Sequence, residues 1–135
     1  MKGFKYATKN LFFVRLNEDE DILLSLRKAV AEHGVQNAVI LMGMGSVKCY
    51  HFHVVDSAVN PPTEQFPKSD SAADIVNING LVIAGRVHAH ITFTDSKVAF
   101  GGHLEEGCKV LTFNVIALAE VDDADFTDWD KIKNL

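Results

Sequence analysis

Residues 85–107 read GRVHAHITFTDSKVAFGGHLEEG, and they hold three of the chain's six histidines: His88, His90 and His103. The run Val87-His88-Ala89-His90-Ile91-Thr92-Phe93 alternates apolar and polar residues. Successive side chains of a β-strand point to opposite faces. His88, His90 and Thr92 therefore share one face, while Val87, Ala89, Ile91 and Phe93 share the other, which is the core face. Asp95-Ser96 reads as a turn and Lys97 to Phe100 as a short returning strand. Such a hairpin brings Gly101-Gly102-His103 back beside the first strand, where three imidazoles can converge on one small volume.

Two histidines spaced i, i+2 on a strand have Cα atoms roughly 6.5 to 7 Å apart. Both can then reach one ion with nitrogen–metal bonds of about 2.0–2.1 Å. A third imidazole from the neighbouring strand leaves a fourth position for water or a ligand, as in catalytic zinc sites. Three imidazoles with no thiolate nearby favour zinc among divalent ions. Spacing alone leaves a second reading open, in which these are polar residues on a solvated strand face.

The same residues resemble the signature of the PPC ("plants and prokaryotes conserved") domain family, found beside AT-hooks in plant nuclear proteins. The signature is a His-x-His on a strand, a short hairpin, Gly-Gly-His-Leu and a glycine three residues on. Here these are His88-Ala89-His90, Gly101-Gly102-His103-Leu104 and Gly107. The resemblance extends through Asn77-Ile78-Asn79-Gly80 back to Gly43-Met44-Gly45-Ser46, roughly from Asn10 to Glu120. It implies an α+β domain that assembles as a homotrimer. Family members often carry a carboxylate in the closing strand, where this chain reads Thr112-Phe113-Asn114-Val115. If that acid belongs to the family's site, this member is altered there.

A chain of 135 residues suits a single domain. The expected division is one PPC-like domain over 1–135, with a core of about 10–120 and an acidic segment over 121–135. Apolar residues at 47% suffice for a core, and the formal net charge of −5 gives no general attraction to nucleic acid or anionic membranes. Cys49 and Cys108 lie far apart and read as reduced thiols, which together with the absence of an apolar leader at the start points to the cytoplasm. The longest strongly apolar run, Ala38 to Met42, is too short to span a bilayer.

In chain order, Leu11 to Leu16 reads as a strand. Glu18 to His33 reads as the principal helix, with Asn17 and Glu20 as a capping box, Ile22, Leu23, Leu26, Ala29 and Val30 as one apolar stripe, and Gly34 ending it. Ala38 to Met42 reads as a strand buried on both faces, here or at a subunit interface. Gly43 and Gly45 mark a bend or bulge, and Val47 to Val55 is a further strand. This strand carries a second His-x-His, His51 and His53. They are either additional ligands or polar residues of a half-exposed strand, and the second reading is preferred because the family signature does not centre on them. Asp56 to Asp74 reads as a long loop, functional or mobile. Ile75 to Ile83 reads as two short strands turning at Asn79-Gly80. Lys109 to Val121 closes the sheet, and Phe126, Trp129 and Ile132 fit a short C-terminal turn or helical segment that docks on the body. The whole is α+β, a mostly antiparallel sheet with one principal helix.

Three functions are in view. The first is a metal protein with His88, His90 and His103 on zinc, and Glu105 and Glu106 near enough to support the ligands or act as a base; no catalytic nucleophile stands out. The second is DNA binding, the usual label of the family. An AT-hook needs an Arg-Gly-Arg-Pro-like core, whereas Arg15, Arg27 and Arg86 are well separated, and a net charge of −5 opposes phosphate binding. The third is a protein-interaction module that works through the trimer or the proline-containing loop.

Overall fold

The structure, a computed structural model, describes residues 1–132; the last three residues of the acidic segment lie outside the described residues. The elements run β1 (Thr8–Leu16), α1 (Ile22–Glu32), β2 (Ala38–Val55), β3 (Glu64–Gln65), β4 (Lys68–Ser69), β5 (Ala73–Ile83), β6 (Arg86–Thr94), β7 (Ala99–Leu104) and β8 (Lys109–Val121). The protein is α+β, a mostly antiparallel sheet with a single short helix. The sheet order is β1-β8-β2-β5-β6-β7, and β7 then returns to pair with the far end of β2. Strands β2, β5, β6 and β7 thus close on themselves.

That closure depends on the length of β2. It is one continuous strand of 18 residues, not two. Its first half pairs with β8 and β5, and its second half reaches β7. The expected bend at Gly43 to Gly45 is present as irregular register against β8, with shifts between Ile40 and Met42 and between Gly45 and Val47. Extra residues of this kind bend a strand without ending it.

Two sequence expectations shift. Asn79-Gly80 does not turn the chain, because β5 runs straight through it and Gly80 pairs with Ala89. The turn falls at Ala84-Gly85, which have φ of 49° and 80°, the positive values that a two-residue hairpin requires. Gly80 serves close approach instead: a Cβ there would lie 2.1 Å from the His88 carbonyl oxygen. The helix also starts a turn later than its acidic run suggests. Asp19 adopts a φ of 68°, and the Asp19 N–H and Glu20 carbonyl bond to Val110. Glu18 to Asp21 is thereby tied to the start of β8. Asp21, not Asn17, caps α1 by accepting from the Leu24 N–H at 3.0 Å.

The apolar stripe of α1 is buried through Ile22, Leu23, Leu26 and Val30. It packs on the inner face of the sheet, where Val87, Ala89, Ile91 and Phe93 of β6 are all buried, as the alternation requires. Gly34, at a φ of 63°, ends the helix. The face of β1, β8 and β2 turned away from the core exposes Leu11, Phe13, Leu41, Met44 and Phe113. The long segment before β5 contributes β3 and β4, both paired to the end of β2. After β8 the chain forms turns around a buried Phe126, whose ring meets Trp129 at 4.5 Å and Tyr6 at 5.9 Å. Among the described residues no helix is long and apolar enough to cross a membrane.

Candidate metal centre

Strand register brings the histidines together. His103 on β7 lies opposite His90 on β6 and opposite His53 on β2. Directly opposed residues share a sheet face, so three imidazoles line one rung across three strands. His88, two residues before His90, joins them on the same face. Ring centroids are 4.7 Å apart for His88 and His103, 5.4 Å for His90 and His103, and 5.7 Å for His88 and His90. His53 stacks on His103 with centroids 4.4 Å apart.

Gly102 makes this rung possible. A Cβ on Gly102 would sit 2.2 Å from the His53 carbonyl oxygen, so only glycine lets β7 close on β2 at this point. The rings face a cavity of about 360 Å³ lined by His53, Val54, Val55, His88, His90, Gly102 and His103.

Acceptors hold one nitrogen of three of these rings. His53 Nδ1 lies 2.5 Å from Glu105 Oε1, and His88 Nδ1 lies 2.9 Å from Asp130 Oδ2. His103 Nδ1 is 3.2 Å from the Leu104 carbonyl oxygen and 3.6 Å from Glu105 Oε1. With Nδ1 donating, a neutral ring carries its lone pair on Nε2, the arrangement that prepares histidine as a metal ligand. His53 Nε2 is also 3.6 Å from Glu64 Oε1. Burial, reinforced by neighbouring imidazoles, pushes the pKa of His103 and of His90 below the usual histidine range. Both are thereby kept neutral, the form a metal needs.

The other residues singled out in the sequence divide. Glu105 is in the site, and its carboxylate, His53 and His103 offer ligand atoms all within 4.8 Å of one another, a group that could hold a metal ion. Glu106 is not, and pairs with Arg27 at the surface. His51 turns its Nδ1 to the Glu106 carbonyl oxygen at 2.8 Å. Burial pushes the Cys108 thiol up to about 12, and its Sγ donates to the His51 carbonyl oxygen, so it is no thiolate ligand. Asn114 is buried far along β8, opposite Gly45, with its Nδ2 donating to the Met44 carbonyl oxygen.

Sequence reasoning missed His53 and Asp130. The strand pattern puts His53 on a half-exposed face, whereas in the fold β7 closes over it and it sits in the cluster. Its one signal was the Gly102 that permits the closure. Asp130 gave no signal, because it is one acid among several in a segment remote in sequence.

A family model, the Plants and Prokaryotes Conserved (PCC) domain, matches residues 4–121. The chain belongs to this family. Solved structures with the same fold include a PPC protein of Pyrococcus horikoshii, at a TM-score of 0.78 and 20% identity over 93% of this chain and 87% of that one. A metal-containing protein of Archaeoglobus fulgidus matches at 0.75 and 18% identity, over 90% and 86%. A candidate DNA-binding protein of Bacteroides thetaiotaomicron matches at 0.70 and 20% identity, over 89% and 86%. No match is found among curated proteins. The PCC match ends at Val121, so Asp130 lies beyond the matched residues.

Proposed function

We propose that this PCC protein is a cytoplasmic, homotrimeric metal protein whose His88, His90 and His103 hold one zinc ion. The observation that carries the reading is the mutual spacing of the three rings, 4.7 to 5.7 Å between centroids. Rotation about the side-chain bonds would let one nitrogen of each ring reach a common ion at about 2.0–2.1 Å. The donor set fits zinc: His90 and His103 are kept neutral by burial, His88 and His103 are oriented through Nδ1, and there is no thiolate among them. A zinc ion held by these residues would supply Lewis acidity and would lower the pKa of water.

The chain's own groups then have definite tasks. His53 and Glu105 form a hydrogen-bonded pair at the wall of the cavity beside His103, placed to take or hold a proton from a group that enters it. Asp130 and Leu104 orient His88 and His103. Homotrimer formation is supported by the apolar side chains Leu11, Phe13, Leu41, Met44 and Phe113 exposed together on the outer face of β1, β8 and β2. Elemental analysis of protein purified without chelator tests the reading. About one zinc per chain is expected, and a chain that stays metal-free after zinc addition and dialysis refutes it.

A further inference from the structure

We infer that the segment after β8, outside the part of the chain that matches the family, completes the site by supplying Asp130 as the carboxylate that positions His88. The inference rests on the zinc reading above. Asp130 has its side chain only 12% exposed. Its Oδ2 accepts from His88 Nδ1 at 2.9 Å and from Arg86 Nη1 at 2.7 Å, while its Oδ1 accepts from Arg86 Nη2 at 2.9 Å. Arg86 and His88 are two apart on β6 and so share its outer face. One carboxylate thereby bridges two side chains of the same strand.

The bidentate pair with the Arg86 guanidinium fixes the plane of the carboxylate. Asp130 is therefore an acceptor of fixed direction. It can receive only the N–H of His88, which selects the Nδ1-protonated tautomer and leaves the Nε2 lone pair for the cavity. Without it, His88 is free to rotate and to exchange tautomers.

The segment is built to deliver this contact. Phe126 is buried, and Trp129 packs on it and on Phe4 at 5.2 Å. The Asn37 side chain grips the backbone on both sides of the corner, donating to the Ala124 carbonyl oxygen at 2.7 Å and accepting from the Phe126 N–H at 3.3 Å. These anchors involve neither Arg86 nor His88. They give Asp130 a fixed origin four residues beyond Phe126.

The test compares wild type, D130A and D130E for zinc affinity by chelator competition, and reads the His88 tautomer by long-range nitrogen–proton NMR of the metal-free protein. D130A should weaken zinc binding 10- to 100-fold, the usual effect of removing a carboxylate behind a ligand histidine, and should abolish the Nδ1–H signal of His88. D130E should recover part of the affinity. An unchanged melting temperature of metal-free D130A separates positioning from loss of fold. Wild-type affinity and an unchanged tautomer in D130A overturn the inference while leaving the zinc reading intact. A wild type that binds no zinc overturns both, and is seen before any variant is made.

Discussion

His103 lies directly across from His53 where β7 meets β2, and the two imidazoles stack with centroids 4.4 Å apart and planes 19° from parallel. The contact joins the end of the longest strand to the signature hairpin, and it divides the second His-x-His into two unequal residues. His53 supports the ring at the centre of the cluster, and His51 faces the Glu106 backbone. Replacing His103 with Ala removes the ring that touches His53, His88 and His90, so zinc should be lost on dialysis. H53A should weaken zinc binding by about tenfold, the low end of the range for groups behind a ligand. H51A should match wild type. Zinc content by elemental analysis orders the three variants, and H51A losing as much zinc as H103A would show that the wrong histidines are in the site.

Acid should act on this cluster even without metal. Burial, then the neighbouring rings, lowers the pKa of His103 and of His90 in the fold. Unfolded, both return to about 6.5. Between the lowered folded values and that figure the unfolded chain binds protons that the fold refuses, so stability falls as pH falls through the window and levels out below it. Thermal melts of chelator-treated protein should show Tm declining as pH drops below about 6.5. The slope should be shallower in the H90A/H103A double variant, which lacks both groups whose pKa the fold lowers. Equal slopes in the two proteins would remove this account. Zinc release should follow the same direction, since only neutral imidazole binds.

How much of this was legible from sequence depends on the range of the interaction. The alternation of Val87 to Phe93 is a local consequence of strand geometry, and the core face follows from it directly. The single amphipathic helix and its Gly34 stop are local in the same sense. Asn79-Gly80 misled because local turn chemistry competes with sheet packing: the glycine is there to let β6 pass close, a constraint set by the His88 backbone across the hairpin and not by the chain's own bend. The start of α1 was lost to a bond between Asp19, in the turn after β1, and Val110 of β8, distant in sequence. His53 and Asp130 needed the closed circuit of strands and the docked end of the chain, neither of which leaves a period or motif to read.

Assembly can be tested on a residue far from the histidines. Phe13 is 68% exposed on the outer face of β1, where a lone chain gains nothing from it. Light scattering should give three times the mass of the 14.9 kDa chain, and F13D should give the monomer with its helix and sheet intact by circular dichroism. A wild-type monomer at micromolar concentration would remove the trimer.

Duplex DNA should bind weakly and without sequence preference. The chain carries 13 basic against 18 acidic residues, and its three arginines are spent separately: Arg15 on Asn17, Arg27 on Glu106 and Arg86 on Asp130. Specific binding tighter than about 10⁻⁷ M at physiological salt, well beyond ordinary non-specific affinity, would contradict this. Fluorescence anisotropy with random and AT-rich duplexes decides it.

The closure of β7 on β2 can be probed without touching a ligand, through Gly102. An alanine Cβ there would meet the His53 carbonyl oxygen at 2.2 Å and Val54 Cγ1 at 2.7 Å. The first neighbour is backbone, so relief requires the strands to part. Parting them by even a few tenths of an ångström moves His103 away from His53, on the very rung that also carries His90. Overpacking of this kind costs about 1–3 kcal/mol, which a chain of this size should survive with a lowered Tm. G102A should therefore fold, melt earlier and lose zinc affinity by at least tenfold, although every histidine is still present. Gly3 is the control, since a Cβ there meets nothing within 4 Å, and G3A should match wild type in both measurements. Wild-type zinc affinity in a folded G102A protein would mean that the spacing of His103 from its neighbours is not set by this contact.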